Sequence, residues 1–326
     1  MKYVNTLRGF YRRNNILVMR VLLTGGNGFL GSNLTKHLVK AGNEVMVISR
    51  SWGRLTDVIQ SITFVQHSSP GLEEKVLAFS PTVVIHTAWD GGNTYANINS
   101  TNQARNISYG CDLLDMIAKI SPTPRFIGLG SFSEYGRMTS PATESQACSP
   151  INVYGFSKLC FKDISEIICE GKIPWSWVRP CYIYGQNDVK TRLVPTMIRK
   201  FVANETLTVD SCTSVVDFLH VDDFCTGIDA IIAANQNGVY NICSGTEIRV
   251  RDLIEKIRII SNTSSTVVFD PKLDRVKLST YACGNPSKLK MIGWSQTVSL
   301  DEGLQRLIAD EKLGHYIDND GLHSEN

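Results

Sequence analysis

The chain has 326 residues, 43% of them hydrophobic, with 33 basic and 31 acidic side chains and a formal net charge of +2. That length and apolar content suit one large α/β domain or a large and a small one. The near-neutral balance contains no long basic run, which argues against a nucleic-acid partner, and no apolar run approaches the roughly 18 residues of a membrane span.

The nine cysteines are scattered, with no Cys-x-x-Cys pair and no Cys/His group at zinc spacing. They imply no metal site and read as small core residues in a reducing cytoplasm. Residues 1–18 are basic (Lys2, Arg8, Arg12, Arg13) and lack acids. They read as an extension, either a disordered arm or the product of an upstream start, with an organelle transit peptide as the alternative.

The first strand is Arg20-Val21-Leu22-Leu23-Thr24, followed by Gly25, Gly28 and Gly31 and then by a helical pattern at Leu34, Leu38 and Val39. Strand, glycine turn and helix are the opening of a dinucleotide-binding fold. One glycine permits the turn, one lets a pyrophosphate approach the backbone and one lets helix and strand pack closely. The helix N-terminus offers that anion free N–H groups and a positive dipole end. Glu44 to Ile48 reads as strand two. Its end lacks the carboxylate that usually binds the ribose 2′-hydroxyl of NAD, and carries Ser49, Arg50, Ser51 and then Arg54. Serine and arginine suit a 2′-phosphate, so NADP(H) is favoured, with NAD(H) as the alternative.

Further strands are expected at 62–66, 81–88, 125–130 and 175–183, with helices at 97–120 and 154–169. The strand at 81–88 ends in small residues, Thr87 and Ala88, suited to lie under a cofactor. The strand at 125–130 ends at Ser131, and ligands of open α/β sheets bind at such carboxyl ends. Tyr154 and Lys158 are four apart and share a helix face. An ammonium beside a phenol lowers the phenol's pKa, which makes Tyr154 a proton donor or acceptor for a carbonyl/alcohol pair. Beyond residue 185 the elements shorten. Helices are expected at 193–203, 222–234 and 250–261 and from Ser299, with strands near Leu207 and Val215 and at 239–243 and 266–269. The resulting division is an extension at 1–18, a dinucleotide-binding domain at 19–185, a substrate-binding subdomain at 186–316 and a frayed tail at 317–326.

In this order the motifs resemble the extended short-chain dehydrogenase/reductase family, especially its nucleotide-sugar members, over residues 19–312. The matching pieces include Thr24 to Gly31, Gly130-Ser131-Phe132-Ser133-Glu134-Tyr135-Gly136, Tyr154-Gly155-Phe156-Ser157-Lys158, Arg179 to Gly185 and Asp217 to Asp223. The resemblance implies a Rossmann-type doubly wound parallel sheet with a small, interleaved C-terminal α/β subdomain. It implies that Tyr154 is the acid/base, that Lys158 tunes it and holds the nicotinamide ribose, and that Ser131 binds the substrate oxygen. It extends the cofactor-binding set from Gly25, Gly28 and Gly31 to Asn27, Phe29, Leu30, Thr87, Ala88, Asn106, Cys181 and Ile183. It points to Trp89, Phe132, Ser133, Glu134, Tyr182, Arg192 and Arg275 for the substrate. Such proteins commonly dimerise through two helices per subunit, here the ones around 106–120 and 154–169, so a homodimer is expected.

The departures narrow the reaction. Sugar-nucleotide 4,6-dehydratases carry Asp-Glu just after the strand-end Ser/Thr, where this chain has Phe132 and Ser133, and Glu134 falls one position late. Water elimination is therefore disfavoured. The expectation is an NADPH-dependent reductase of a nucleotide-activated 4-keto-6-deoxyhexose, resembling the CDP-paratose and CDP-abequose synthases or the dTDP-sugar 4-ketoreductases. The alternatives are a 4-epimerase that retains NAD and, more remotely, a non-catalytic cofactor-binding or RNA-associated relative.

Overall fold

The computed structural model describes residues 11–13, 16–91, 99–274 and 280–314. Two short strands, β1 (Tyr11–Arg13) and β2 (Ile16–Val18), pair antiparallel ahead of the main fold, so part of the basic extension carries structure. Then follow β3 (Arg20–Thr24), α1 (Phe29–Lys40), β4 (Glu44–Ser49), β5 (Thr63–Gln66), α2 (Leu72–Phe79), β6 (Val83–His86), α3 (Gln103–Ile117), β7 (Arg125–Leu129), α4 (Val153–Cys169) and β8 (Trp175–Pro180). The later elements are β9 (Tyr182–Tyr184), α5 (Leu193–Val202), β10 (Leu207–Val209), β11 (Val215–Val216), β12 (Phe218–His220), α6 (Val221–Ala234), β13 (Gly238–Ile242), β14 (Ile248–Arg249), α7 (Val250–Ser261), β15 (Val267–Phe269), β16 (Tyr281–Ala282), α8 (Ser287–Met291) and α9 (Leu300–Lys312).

The chain forms two compact units. The first holds the described residues up to Gly136, with Cys148–Arg179 and Ile231–Tyr240. Its sheet has the order β13-β8-β7-β6-β3-β4-β5. The strands from β5 to β8 run parallel, with Leu22 beside both Met46 and Val84. This is the Rossmann order, in which the direction of winding reverses between β3 and β6 and opens a crevice at their carboxyl ends. Strands buried on both faces read as continuous apolar runs, and Val21, Leu22, Leu23, Val84 and Ile85 are fully buried. Leu113, Leu114, Ile117, Phe161 and Trp177 complete that core. Each such side chain contributes roughly 1.5–3 kcal/mol on burial.

Three expected elements differ. The strand at 81–88 stops at His86, because the Thr87 N–H and hydroxyl both turn back to the Thr24 carbonyl, at 3.1 and 2.7 Å. Of the helix expected at 97–120, Gln103–Ile117 is helical, residues 99–102 and 118–120 are not, and 97–98 lie outside the described residues. The strand at 175–183 breaks at Cys181, whose N–H donates to Ile242 O at 3.0 Å.

The second unit holds Arg137–Ala147, Pro180–Ala230 and the described residues from Asn241 onward. It pairs short strands distant in sequence: β10 with β15, β11 with β14 and β16, and β9 with β12. Helices α5, α7 and α9 close its core around Ile198, Phe201, Leu253, Ile257 and Leu307. Among the described residues no helix is long and apolar enough to cross a membrane.

Candidate active site

The crevice begins with the glycine turn. Gly25 is left-handed, with φ +75, and a Cβ there would lie 2.6 Å from the Ala88 main chain. A Cβ on Gly31 would lie 2.2 Å from the Gly25 carbonyl oxygen, so α1 can approach the turn only through glycine. Gly28 is looser, since a Cβ there would lie 3.2 Å from Gly25 O. It caps α1 without a side-chain hydrogen bond, and the first turn of α1 contains no acid. An open helix N-terminus behind a glycine loop fits a dinucleotide pyrophosphate. Phe29 is buried, so this loop offers main chain rather than that side chain. Leu30, the next residue of α1, is half-buried.

The end of β4 is tied to this loop. Asn27 Nδ2 donates to Ser51 Oγ at 2.9 Å, and Asn27 Oδ1 accepts from the Arg54 N–H at 2.7 Å. The Arg54 guanidinium donates to the Asn27 carbonyl at 3.2 Å. Asn27, Ser51 and Arg54, expected separately, thus form one cluster. Ser49 is half-buried beside it. Arg50 projects into solvent, 3.5 Å from the exposed Asp90 carboxylate.

Past β6, Trp89 Nε1 donates to Gln103 Oε1 at 2.6 Å. Asn106 holds the same loop through both main-chain groups of Asp90, at 2.8 and 3.0 Å. Gln103 escaped the sequence reading, although glutamine at the start of a helix beside Asn106 was a usable signal. Beneath them, His86 Nδ1 is 2.8 Å from the Thr24 hydroxyl. Burial, and then the nearby Lys158 charge, press the His86 pKa down to about 3, so this imidazole is neutral.

Ser131 caps a single 3-10 turn, Phe132–Glu134. The Ser131 hydroxyl accepts from the Ser133 N–H at 3.1 Å, and the Ser131 N–H donates to Glu134 Oε1 at 2.7 Å, forming a capping box. Two expectations need correction here. Glu134 is fully buried, with Oε2 accepting from Arg179 Nε at 2.7 Å, so it faces the interior rather than a substrate. Phe132 is likewise buried, edge-on to the Tyr135 ring at 5.6 Å. Ser133 remains half-buried. Trp177 and Arg179, Glu134's partners, alternate on β8 and so share a face. That spacing was the signal that could have exposed them.

The turn packs against the start of α4, where a Cβ on Gly155 would meet the Ser133 carbonyl at 2.4 Å. Helix α4 is capped by Asn152, whose side chain accepts from the Gly155 N–H at 2.8 Å. Tyr154 and Lys158 fall on one face: the Lys158 ammonium is 3.8 Å from the Trp89 ring centroid and 5.9 Å from that of Tyr154. It donates to the Leu129 carbonyl, at the end of β7, at 2.6 Å. Burial lowers the Lys158 pKa to about 7, against the upward pull of Glu134.

Cys181, Tyr182, Ile183 and Arg192 belong to the second unit. Cys181 and Ile183 are buried there, while Tyr182 is exposed and packs on Phe218. Arg192 pairs with the buried Asp188 at 2.8 Å. Arg275 lies outside the described residues.

This constellation has a family. Residues 21–243 match the model of the NAD dependent epimerase/dehydratase family, and the chain belongs to that family, within the extended short-chain dehydrogenases/reductases. The chain is 24% identical over 302 residues to the CDP-abequose synthase of Salmonella muenchen, covering 89% of this chain and 97% of that one. It is 25% identical over 319 residues to the GDP-6-deoxy-D-mannose reductase of Pseudomonas aeruginosa, covering 90% and 82%. The UDP-glucose 4-epimerase of Thermotoga maritima, solved with UDP-glucose, superposes with a TM-score of 0.80 at 23% identity, covering 91% of this chain and 99% of that one. At that distance the likeness concerns the fold.

Proposed function

We propose that the protein reduces the keto group of a nucleotide-activated 4-keto-6-deoxyhexose, with NADPH as the preferred cofactor. The observation that carries this reading is the fate of Glu134. The carboxylate nearest Ser131 in sequence is locked onto Arg179, and the positions where dehydratases hold acids are Phe132 and Ser133. Among the described residues directly following Ser131 no acid is then left for water elimination, and Tyr154 serves as the proton source. Bound cofactor would supply the hydride. The chain's own residues do the rest: Ser131 hydrogen-bonds the sugar oxygen, Tyr154 gives it a proton, and Lys158, desolvated beside Tyr154, favours the phenolate left behind.

The Asn27–Ser51–Arg54 cluster supports a 2′-phosphate, since it supplies a hydroxyl and a guanidinium and no carboxylate. One observation favours a second reading, a 4-epimerase retaining NAD. Asp90 faces Arg50 across the crevice mouth, where a carboxylate disfavours the 2′-phosphate. Both of those side chains are largely exposed, and such pairs are weak.

The test is Tyr154→Phe, assayed on a panel of CDP-, dTDP-, GDP- and UDP-4-keto-6-deoxy sugars. Removing a general acid costs about 10²–10⁴ in kcat. Undiminished turnover by the variant would show that Tyr154 is not the acid.

A further inference from the structure

Glu134 sits at the centre of a buried polar network that the proposed chemistry does not use directly. Its Oε1 accepts from the Ser131 N–H at 2.7 Å, its Oε2 accepts from Arg179 Nε at 2.7 Å, and Trp177 Nε1 lies 3.1 Å from both oxygens. The space around it is reserved: a Cβ on Gly130 would lie 2.2 Å from both Glu134 Oε1 and Trp177 Nε1. The Arg179 guanidinium lies over the Tyr135 ring, 4.5 Å from its centroid. Burial alone would lower the Arg179 pKa, but the Glu134 charge raises it, so the guanidinium stays protonated.

Stability does not explain such a pair. Taking two charges out of water is costly, and apolar replacements of similar shape are often neutral or stabilising. What the network does locally is fix one serine. A hydroxyl has a single hydrogen and two lone pairs. The capping box spends a lone pair of Ser131 Oγ on the Ser133 N–H, and the hydroxyl hydrogen finds no acceptor among the described residues.

We propose that Glu134, clamped by Arg179 and Trp177, is a positioning residue that holds the Ser131 main chain and so commits the Ser131 hydroxyl as a hydrogen-bond donor to the reacting sugar oxygen. The inference rests on the ketoreductase reading for its substrate, and on the capping box for its geometry. Glu134→Gln keeps the shape but turns an amide N–H₂ toward the donors Arg179 Nε–H or Trp177 Nε1–H, which loosens the clamp.

The experiment has two arms. In the full-length protein without ligands, amide exchange at Ser131 and Ser133 is expected to rise about tenfold in Glu134→Gln, while the Lys158 segment of α4 is unchanged. On a reducible 4-keto sugar nucleotide, kcat is expected to fall about 10–100-fold with KM nearly constant, and the same substitution in a Ser131→Ala background is expected to cost less than about threefold. Arg179→Lys retains the charge but not the planar fork, and serves as a milder second variant, with exchange and kcat losses between wild type and Glu134→Gln. Unchanged exchange, or equal losses with and without the Ser131 hydroxyl, would overturn the proposal. Failure of the wild type to reduce any of the sugars would overturn the ketoreductase reading instead, and the exchange arm would still decide whether Glu134 holds Ser131.

Discussion

The Lys158 ammonium, packed on Trp89 and Leu129, titrates near 7 instead of 10.5 because burial penalises its charged form. In the unfolded chain the same lysine keeps its proton up to about 10.5. Between these values the unfolded state holds more protons, so this residue's cost to stability is fully felt below pH 7 and relieved as pH rises toward 10.5. Lys158→Met should therefore raise the melting temperature at pH 6, and the advantage should shrink by pH 10 while turnover is lost. Calorimetry at both values checks this, and an equal gain at both would mean that the lysine is not desolvated. The placement of Ser131 after β7 and of Tyr154 and Lys158 on one face of α4 was legible in the sequence because a strand end and a four-residue helical spacing are local features. Glu134 was not. Its partners Trp177 and Arg179 lie 43 and 45 residues away, so nothing local distinguished a buried ion pair from a carboxylate facing a ligand.

Among the elements, the glycine turn is the most constrained. Gly31→Ala drives a Cβ to 2.2 Å from the Gly25 carbonyl, whereas Gly171 has open space around it. Overpacking of the first kind costs about 1–3 kcal/mol. Denaturant unfolding should show that loss for Gly31→Ala, together with weakened dinucleotide binding by fluorescence titration. Gly171→Ala should bear only the strain of its left-handed backbone and should bind normally. The turn could be read early because β3, the glycines and α1 are contiguous. Helix α2 was missed because it is only eight residues long and is flanked by left-handed Gly71 and Ser80. The strand read through 175–183 breaks because Pro180 has no N–H and the Cys181 N–H is spent on Ile242.

Across the whole molecule, the parallel sheet was predictable because consecutive βα units make neighbours. The strand pairing of the second unit was not, since β11 takes its partners from residues 248–249 and 281–282. Cofactor choice also belongs at this scale, because Asn27 couples the glycine turn to the end of β4. Arg54→Ala should weaken NADPH binding about tenfold and NADH binding far less, as expected for loss of a charge-assisted contact to the 2′-phosphate. Equal effects on the two cofactors would remove the case for NADP. The reductive assignment itself is tested most directly with 4-deuterated NADPH and the 4-keto-6-deoxyhexose nucleotides, following cofactor oxidation and the fate of the label together. One NADPH should be oxidised per sugar reduced, with deuterium at C4 of the product. Interconversion of C4 epimers with no net oxidation of NADPH would contradict the assignment.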